Sequence, residues 1–363
     1  MRVLLLHNRY RLPGGEERAV DEIARLLRDH GHVVSTVARS SEQTSSVTAA
    51  RRLLSGGEDI SAEIAAFRPD VVHAHNLHPL LGWRALASAK RAGSRTVLHL
   101  HNFRLVCAIG IAYRDGAPCH RCHGRNTFPG IRLNCRDSRA EALTYGIGLR
   151  RQQPHLLRHA DALVVVSAAT AERLEQFGIP AATPLPNFVR EPAQATSADQ
   201  GTHALASGRL VLEKGFDTAI SAARAADVPL VVVGEGPDQA RLKALAAGAD
   251  VRFTGRVSEA ALADLRRTAV AQLVPSRWEE PCPYSVLDAM AAGVPVLASD
   301  IGGLPELVGE TVADGEWADA LATLWRDPEQ RRQRGEAGLQ RARERHSAEG
   351  YYNALMETYG CEP

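Results

Sequence analysis

Two of the carboxylates in the stretch VPSRWEEPCPYSVLDAMAAGVPVLASDIGGLPE, which runs from Val274 to Glu306, are spaced so that they could act together. Glu280 precedes a Pro-Cys-Pro turn, and Asp288 follows eight residues later on the apolar segment that the turn opens. A carboxylate at a turn and another on the following helix can both face one polyhydroxylated ligand, because ionised carboxylates accept hydrogen bonds from hydroxyl groups. Taken alone, the same acids could instead complement the dipole of a helix start.

Two cations stand upstream in SGRLVLEKGFDTAI, residues 207–220. Arg209 ends a strand pattern, and Lys214 lies in the turn before an apolar-periodic helix. Cations beside a helix N-terminus suit a leaving diphosphate, since the backbone N–H groups and the helix dipole already favour an anion there. The alternative is an arginine and a lysine in a solvated loop, the commoner situation for single residues.

The two segments together resemble the E-x7-E signature and the G-R-x4-K-G motif of the retaining glycosyltransferases of family 4. The resemblance implies that Glu280 contacts hydroxyls of the donor sugar and that Asp288 contacts the ribose of the nucleotide. The second acid of the signature is normally Glu, so Asp288 is a departure from the family pattern. The resemblance also implies that Arg209 and Lys214 clamp the donor diphosphate. The implied fold is GT-B, with two Rossmann-like doubly wound α/β domains facing a central cleft.

The arrangement of elements along the chain agrees with this fold class. Strand-like apolar runs alternate with helical patterns, which predicts parallel α/β units. These runs lie at 2–6, 33–38, 70–74, 95–100, 161–166, 203–207, 229–233, 251–254, 270–274 and 294–298. A polar segment without apolar periodicity separates the two halves and predicts a linker. The predicted parts are an acceptor-binding domain at 1–190, a linker at 191–202, a nucleotide-sugar-binding domain at 203–346 and a final helix in 347–363 that crosses back to the first domain.

The first half offers a glycine turn and a histidine. Gly14 and Gly15 open a turn before an amphipathic helix, where missing β-carbons would let the backbone approach a phosphate. The resemblance implies that this loop meets donor and acceptor. His101 follows a strand pattern and matches the active-site histidine of the family, near the donor sugar. Other histidines crowd the same region as rival candidates: His73, His75, His78 and His99.

Two further segments of the second half are assigned to the nucleotide by the resemblance. GEGPDQ begins at Gly234 and forms a glycine turn after the apolar run PLVVV. FTGRVS contains Arg256 and Val257, whose backbone the resemblance places against the base. Backbone contacts carry little side-chain information, so the sequence leaves the donor base open.

Four cysteines lie outside the transferase motifs, in a predicted insertion at 104–140. They are Cys107, Cys119, Cys122 and Cys135, in the pattern C-x11-C-x2-C-x12-C. Four thiolates could close a tetrahedral structural zinc site, with His120 or His123 as substitutes. Such a site would not be catalytic, because a cysteine-saturated zinc ion has no open position. The alternative is a set of reduced thiols in a loop.

Composition and charge narrow the functional class. The chain has 363 residues, 45% hydrophobic and 23% charged, as an ordinary soluble globular protein has. We expect a cytoplasmic protein, since no apolar run resembles a signal peptide or a membrane span.

Residues 84–158 carry fourteen Lys or Arg and three acids, a net charge of +11 against +1 for the whole chain. This field favours peripheral contact with an anionic membrane or an anionic acceptor, unless it is merely a solvated face. Nucleic acid is disfavoured, because aromatic residues do not interleave the basic stretch.

The combined interpretation is a metal-independent retaining glycosyltransferase. It would move a sugar from a nucleotide-diphosphate sugar to an acceptor hydroxyl, in the assembly of a polysaccharide, a glycolipid or a lipid-linked saccharide. No cofactor is expected for catalysis itself. One alternative is glycosylation of a soluble small molecule or natural product, and another is a GT-B nucleotide-sugar epimerase or hydrolase.

Overall fold

The computed structural model describes residues 1–10, 14–190 and 200–361. Most of the predicted linker, residues 191–199, lies outside the described residues. The chain divides into two compact units. The first comprises Met1–Arg114, Cys119–Pro186 and the C-terminal segment that begins at Tyr351, and the second comprises Asp115–Pro118 and Asn187–Gly350.

The first unit is built on a six-stranded parallel sheet in the order β2-β1-β3-β4-β7-β8. The elements up to Pro184 are β1 (Arg2–Arg9), α1 (Gly15–Asp29), β2 (Val33–Ser40), α2 (Ser46–Ser55), α3 (Ser61–Phe67), β3 (Val71–Ala74), α4 (Gly82–Arg91), β4 (Arg95–Leu100), β5 (Tyr113–Arg114), β6 (Ala117–Pro118), α5 (Phe128–Arg132), α6 (Arg139–His159), β7 (Ala162–Val165), α7 (Ala168–Gln176) and β8 (Thr183–Pro184). The short strands β5 and β6 pair only with each other.

The second unit contains a five-stranded parallel sheet in the order β11-β10-β9-β12-β13. Its elements, followed to the end of the chain, are β9 (His203–Ser207), a 3-10 turn (Leu212–Lys214), α8 (Phe216–Ala226), β10 (Leu230–Val233), α9 (Gln239–Leu245), β11 (Val251–Gly255), α10 (Glu259–Arg267), β12 (Ala269–Val274), α11 (Tyr284–Ala291), β13 (Val296–Ala298), α12 (Leu304–Val308), α13 (Trp317–Arg326), α14 (Pro328–Arg345) and α15 (Ala348–Thr358).

The ten strands predicted from apolar runs are all present, with ends that differ by at most three residues. The interiors of the central strands are buried on both faces, as parallel strands covered by helices must be, whereas the edge strands β2 and β11 are only partly buried. Leu4 and Leu6 of β1, for example, are at most 1% exposed. The sequence analysis missed β5, β6 and β8, each of which has two residues and therefore no periodicity to detect.

Helices cover the sheets through apolar stripes. In α1, Val20, Ile23 and Leu27 recur at helical spacing and are buried, while Arg25 and Arg28 face solvent. The end of α15 packs within the first unit, where the Tyr352 ring stacks on His30 at a centroid distance of 3.6 Å. Among the residues described, no helix combines the length and apolar character needed to cross a bilayer.

Candidate active site

An ion pair occupies the carboxyl edge of the second sheet. Lys214 ends the 3-10 turn before α8, and its Nζ contacts Oε1 of Glu280, which lies in the turn between β12 and α11. Ser276 Oγ donates to the same carboxylate oxygen at 2.7 Å. Glu280 is 2% exposed, so this carboxylate is buried with a cation and a hydroxyl as its partners. The structure therefore brings together two of the residues that the motifs singled out separately.

Glycines in the turns after three strands of the same sheet allow the backbones of these turns to approach one another closely. A β-carbon on Gly215 would lie 1.8 Å from the carbonyl oxygen of Pro275, and one on Gly234 would lie 1.8 Å from that of Gly208. Both glycines also have positive φ angles, +67° and +134°. Any side chain here would push the loops after β9, β10 and β12 apart. Ligands of doubly wound sheets bind beyond this carboxyl edge of the strands.

The remaining predicted donor residues of the second unit lie at the same edge. Arg209 follows β9 directly and is exposed. The Gly234 N–H donates to the carbonyl of Gly255 at 2.9 Å, so the ends of β10 and β11 adjoin. Arg256, the next residue, is exposed, whereas Val257 is half-buried against an apolar cluster. Arg256 and Arg209 thus present cationic side chains to solvent beyond β11 and β9, the two strands that flank β10.

Asp288 has a partner that the sequence analysis missed. Its Oδ2 accepts a hydrogen bond of 3.2 Å from Arg266 Nη2 on α10, and the side chains of both residues are 9% exposed. A buried ion pair on neighbouring helices therefore fixes the acid that departs from the family pattern. The sequence shows only an Arg-Arg pair at the end of α10, and nothing in that pair indicates that Arg266 points inward.

His101 belongs to a stack of four histidines in the first unit. His73 and His75 follow one another on β3 and just beyond it, as His99 and His101 do on β4. His75 Nδ1 lies 2.9 Å from His101 Nε2, and His73 Nε2 lies 3.2 Å from His99 Nδ1. The stack also receives the Tyr359 hydroxyl, 2.8 Å from His73 Nδ1. Two of the four rival histidines, His75 and His99, are thus hydrogen-bonded or stacked neighbours of His101, and His73 joins the stack through them. His78 is buried apart from the stack.

Burial keeps these imidazoles neutral. It lowers the pKa of His73 to about 3 and the pKa of His101 well below its ordinary value. Single ring nitrogens of His73, His75 and His99 lie within 4.8 Å of one another, a spacing that suggests a metal site. The rings of His73 and His75, however, are stacked at 4.4 Å and 29°. Lone pairs of stacked rings run side by side rather than toward one point, so the trio is a hydrogen-bonded array.

The glycine turn of the first unit is already capped by an acid. Gly14 N–H donates to Glu17 Oε2 at 2.8 Å, and Tyr10 N–H donates to Glu17 Oε1 at 2.8 Å. Gly14 has an extended φ of −144°, and a β-carbon there would meet nothing closer than 3.7 Å. Gly15 is the first residue of α1. A phosphate would therefore have to displace the Glu17 carboxylate, and the proposed role of the turn stays a prediction.

A second acid of this turn, Glu16, also escaped the sequence analysis. Its Oε2 accepts hydrogen bonds from the Tyr10 hydroxyl at 2.8 Å and from Asn102 Nδ2 at 3.1 Å. Burial raises the pKa of Glu16. Asn102 follows His101 directly, so the glycine turn and the histidine predicted to act together are linked through one carboxylate. In the sequence, only the pair of glutamates after the glycines could have indicated this role. Such a pair is equally typical of the first turn of an ordinary helix.

The four cysteines of the insertion line one small cavity of the first unit, of about 20 Å³. His120 and His123 do not line it. His120 packs edge-on against Phe177, and the His123 ring lies beside Gly178. Histidine as a substitute ligand in this cavity is therefore not supported by the geometry.

Comparison with known proteins gives the family. The profile described as "Glycosyltransferase Family 4" matches residues 13–191, and the profile "Glycosyl transferases group 1" matches residues 189–341. One similar relative is the GDP-mannose-dependent alpha-(1-6)-phosphatidylinositol dimannoside mannosyltransferase of Mycobacterium tuberculosis, 35% identical over 141 residues. That match covers 35% of this chain and 36% of the relative, so the chain spans about a third of the relative's length.

Two further likenesses cover most of the chain. The phosphatidyl-myo-inositol mannosyltransferase of Mycolicibacterium smegmatis is 25% identical over 324 residues, which is 84% of this chain and 76% of that protein. The crystal structure of Anabaena HepE in complex with UDP-glucose has a TM-score of 0.64 at 17% identity and covers 99% of both chains. This likeness confirms the predicted GT-B fold. Taken with the two adjoining family profiles, it leads to one conclusion: the chain belongs to glycosyltransferase family 4.

Proposed function

We propose that this protein transfers a sugar from a nucleotide-diphosphate sugar to an acceptor hydroxyl, with retention at the anomeric carbon. The observation that carries the proposal is the buried contact between Lys214 and Glu280 at the carboxyl edge of the second sheet. A cation for a diphosphate and an acid for sugar hydroxyls are thereby held side by side. The similar proteins reported above have transferase names or bind a nucleotide sugar, which lends no support to the epimerase alternative.

The proposed donor clamp consists of Arg209 and Lys214. As the bond between the anomeric carbon and the diphosphate breaks, negative charge grows on the leaving oxygens, and two fixed cations offset it. The ammonium of Lys214 has three donors, so it can keep Glu280 and still meet a phosphate. With these cations in place, the departure of the diphosphate requires no divalent metal.

The proposed sugar contacts are Glu280 and His101. Positive charge develops on the sugar as the diphosphate leaves, and a buried carboxylate stabilises it. The acceptor oxygen then bonds to the anomeric carbon from the face that the diphosphate vacates, and the acceptor proton passes to a diphosphate oxygen. A neutral imidazole at His101 suits a hydrogen bond to a sugar hydroxyl. Gly14 and Gly15 are proposed to meet the donor after Glu17 releases the Gly14 amide.

The proposed nucleotide contacts are Asp288 with the ribose, Gly234 with the donor phosphates, and the backbone of Arg256 and Val257 with the base. The mycobacterial relative is named as GDP-mannose-dependent, whereas HepE holds UDP-glucose. For this chain we propose only the shared chemistry, a nucleoside diphosphate linked to a hexose.

For the acceptor, we propose a lipid-linked saccharide or glycolipid at an anionic membrane surface, with the protein bound peripherally at the cytoplasmic face. The support is an exposed apolar and basic surface on α5 and α6, the membrane face. Phe128 is 64% exposed, Leu143 50% and Ile147 37%. The two helices are in contact, since a β-carbon on Gly146 would lie 2.4 Å from the Ile131 side chain.

Exposed arginines surround these apolar side chains, at positions 125, 132, 139, 150 and 151. Apolar residues inside a basic rim suit the interface of a bilayer that contains anionic lipids. Arg136 does not belong to the membrane face, because its Nη2 bonds Glu141 at 2.9 Å and its guanidinium lies 4.0 Å from the Tyr145 ring centre. A soluble small-molecule acceptor is the alternative.

The deciding experiment measures the melting temperature of the purified protein with a panel of nucleotide sugars. We expect one nucleotide class to raise it, because a ligand at a hundred times its Kd stabilises the folded state by about 2.7 kcal/mol. Arg209→Ala should abolish the shift. Adding candidate acceptors should then convert the bound donor to free nucleoside diphosphate and a glycosylated product. Donor turnover that needs no acceptor would instead favour the epimerase or hydrolase, and no shift with any nucleotide sugar would contradict the proposal.

A further inference from the structure

The segment between β4 and α6 has little regular structure of its own. Over residues 101–138 the structure contains only the two-residue strands β5 and β6 and the five-residue helix α5. Gln153 of α6 ties the segment to the first unit by donating to the carbonyls of Leu105 and Gly124. From Arg114 to Ser138 the segment has no buried apolar side chain, and small irregular regions commonly depend on a cross-link or a structural metal.

All four cysteines of the segment converge on one cavity, although 28 residues separate the first from the last. The cavity, of about 20 Å³, has room for a single water-sized species. Its lining, in the part of the chain that the structure describes, contains neither a carboxylate nor an imidazole. The donor set is therefore four sulfurs, which disfavours Mg²⁺ and Ca²⁺ and favours zinc.

Charge around the cavity suits a thiolate-bound metal. Zinc with four thiolates has a net charge of −2, and two arginines, Arg114 and Arg121, line the cavity. Arg114 Nη1 already donates to Cys135 Sγ at 3.4 Å. Gly130 lies close to the second thiol of the central pair, since a β-carbon there would be in van der Waals contact with Cys122 Sγ at 3.6 Å.

We propose that Cys107, Cys119, Cys122 and Cys135 bind one zinc ion that holds the insertion in its folded form. The sulfurs must close on the metal, since no three of them lie within 4.8 Å of one another in the described residues. Tetrahedral zinc with Zn–S bonds of about 2.3 Å sets the sulfurs about 3.8 Å apart. Each cysteine reaches the cavity by a single χ1 angle, so rotation of the side chains can supply this closure. The site is independent of the proposed sugar transfer.

Metal binding would also change the protonation of the thiols. Burial and, to a smaller extent, the neighbouring thiols raise the pKa of Cys122 to about 11. Zinc binds thiolates, so its binding must release protons and should weaken as the pH falls.

The test is elemental analysis of protein that is purified under reducing conditions without chelator. We expect about one zinc per chain in the wild type and in the control Cys361→Ser, whose sulfur lies beside Met1 and away from the cavity. The double variant Cys119→Ser/Cys122→Ser should lose the metal. A strong chelator should lower the melting temperature of the wild type and the control while leaving the double variant unchanged.

A second measurement uses only the wild type, so it tests the proposal even if the double variant does not fold. Metal-free wild type titrated with Co²⁺ should develop the visible absorption of tetrahedral cobalt thiolate with one equivalent, and excess Zn²⁺ should remove it. Zinc should also protect four thiols per chain from an alkylating reagent. The proposal is overturned if fresh, reduced protein contains no metal, takes up neither ion, and exposes the four thiols at the same rate with and without zinc.

Discussion

Each acid of the E-x7-E segment is buried against a cation from a different loop or helix. Glu280 is paired with Lys214, and Asp288 with Arg266. Removing one member of such a pair leaves the other charge buried, which costs far more than losing an exposed pair. The two pairs differ in access, however, because the Lys214 side chain is 24% exposed whereas that of Arg266 is 9% exposed. The cation of the first pair is therefore more accessible to a ligand than the cation of the second pair.

If Arg209 and Lys214 form the donor clamp, replacing either residue should reduce turnover, but the two replacements should affect stability differently. Arg209→Ala and Lys214→Ala should each reduce kcat by on the order of a hundredfold or more, as loss of transition-state electrostatics does. Arg209 is exposed, so its variant should keep its melting temperature. Lys214→Ala should melt earlier, since the Glu280 carboxylate loses its cation. Steady-state kinetics with the natural donor and thermal melts measure both effects.

Lys243→Ala is the matched control for the clamp. Lys243 is an exposed cation on α9 in the same unit, away from the glycine turns. This variant should keep full turnover. Glu280→Gln, which retains size but not charge, should lower kcat as strongly as the clamp variants. If Arg209→Ala kept wild-type turnover, the assignment of the clamp would be wrong.

The Asp288–Arg266 pair predicts a large and specific stability effect. Asp288→Asn should lower the free energy of unfolding by about 3–5 kcal/mol, because the buried Arg266 would lose its ion pair with Asp288. Asp288→Glu keeps the charge but adds a methylene to a packed site, at a cost of about 1–3 kcal/mol. Nucleotide affinity should survive Asp288→Glu. Chemical denaturation and nucleotide titration give these quantities.

An exposed pair on the same helix provides the comparison. Asp264 and Arg267 of α10 lie 3.5 Å apart, with side chains 74% and 46% exposed. Asp264→Asn should change stability by only about 0–1 kcal/mol. Equal losses for Asp264→Asn and Asp288→Asn would show that burial of the second pair does not govern its strength.

At the scale of elements, β3 and β4 place four histidines on one face of the first sheet. Side chains two residues apart point to the same face of a strand, and the parallel register sets His75 opposite His99. The Tyr359 hydroxyl joins the C-terminal segment to this stack through His73. The stack is therefore a joint property of two strands and the chain terminus, and its neutral state is part of the fold.

The stack predicts that the protein loses stability in acid well above the pKa of its carboxyl groups. Unfolded histidine takes up a proton near pH 6.5, whereas burial lowers the pKa of folded His73 and of folded His78 to about 3. The unfolded state therefore binds more protons between these values, and stability falls as the pH decreases from about 6.5 toward 3. Each such histidine contributes about 1.4 kcal/mol per pH unit. Melting temperature measured from pH 8 to pH 5 checks the slope.

Replacing one member of the stack isolates the effect. His99→Gln should reduce the slope of stability against pH below 6.5, whatever it does to the stability at pH 8. His120→Gln, which changes an exposed histidine, should leave the slope as it is. A wild-type stability that is flat between pH 7 and pH 5 would contradict the neutral stack.

For the whole molecule, the distribution of charge matters more than its total. The net charge is +1, yet the membrane face carries exposed arginines around exposed apolar side chains. We expect the protein to sediment with anionic vesicles at low salt and to dissociate as salt rises, because the screening length is about 8 Å at physiological ionic strength. Neutral vesicles should not retain it.

Variants of the membrane face test which residues are responsible. Arg132→Glu with Arg139→Glu should weaken vesicle binding, and Phe128→Ala should weaken it at any salt concentration. Lys243→Glu with Arg252→Glu makes the same charge change on the second unit and should leave vesicle binding intact. Donor-induced thermal stabilisation should be normal in all of these variants. Equal binding to neutral and anionic vesicles would favour a soluble acceptor.

The sequence by itself determined the strands and the motifs. Apolar runs of four to six residues predicted ten strands because burial of both sheet faces requires continuous apolar side chains. The order of the acids, cations and glycines predicted the family because these residues act at fixed places along the chain. It also located the cysteine pattern, since spacing is a one-dimensional property.

Tertiary structure alone decided which of these residues touch. The Lys214–Glu280 contact joins residues 66 positions apart, and Asp288 meets an arginine that no motif contains. The rival histidines near His101 proved to be mostly one stack, because strand register sets which side chains are opposite. The four thiols line one cavity, whereas His120 and His123, which stand between them in the sequence, do not line it. Such contacts depend on helix orientation and strand pairing, which bring distant residues together and separate adjacent ones.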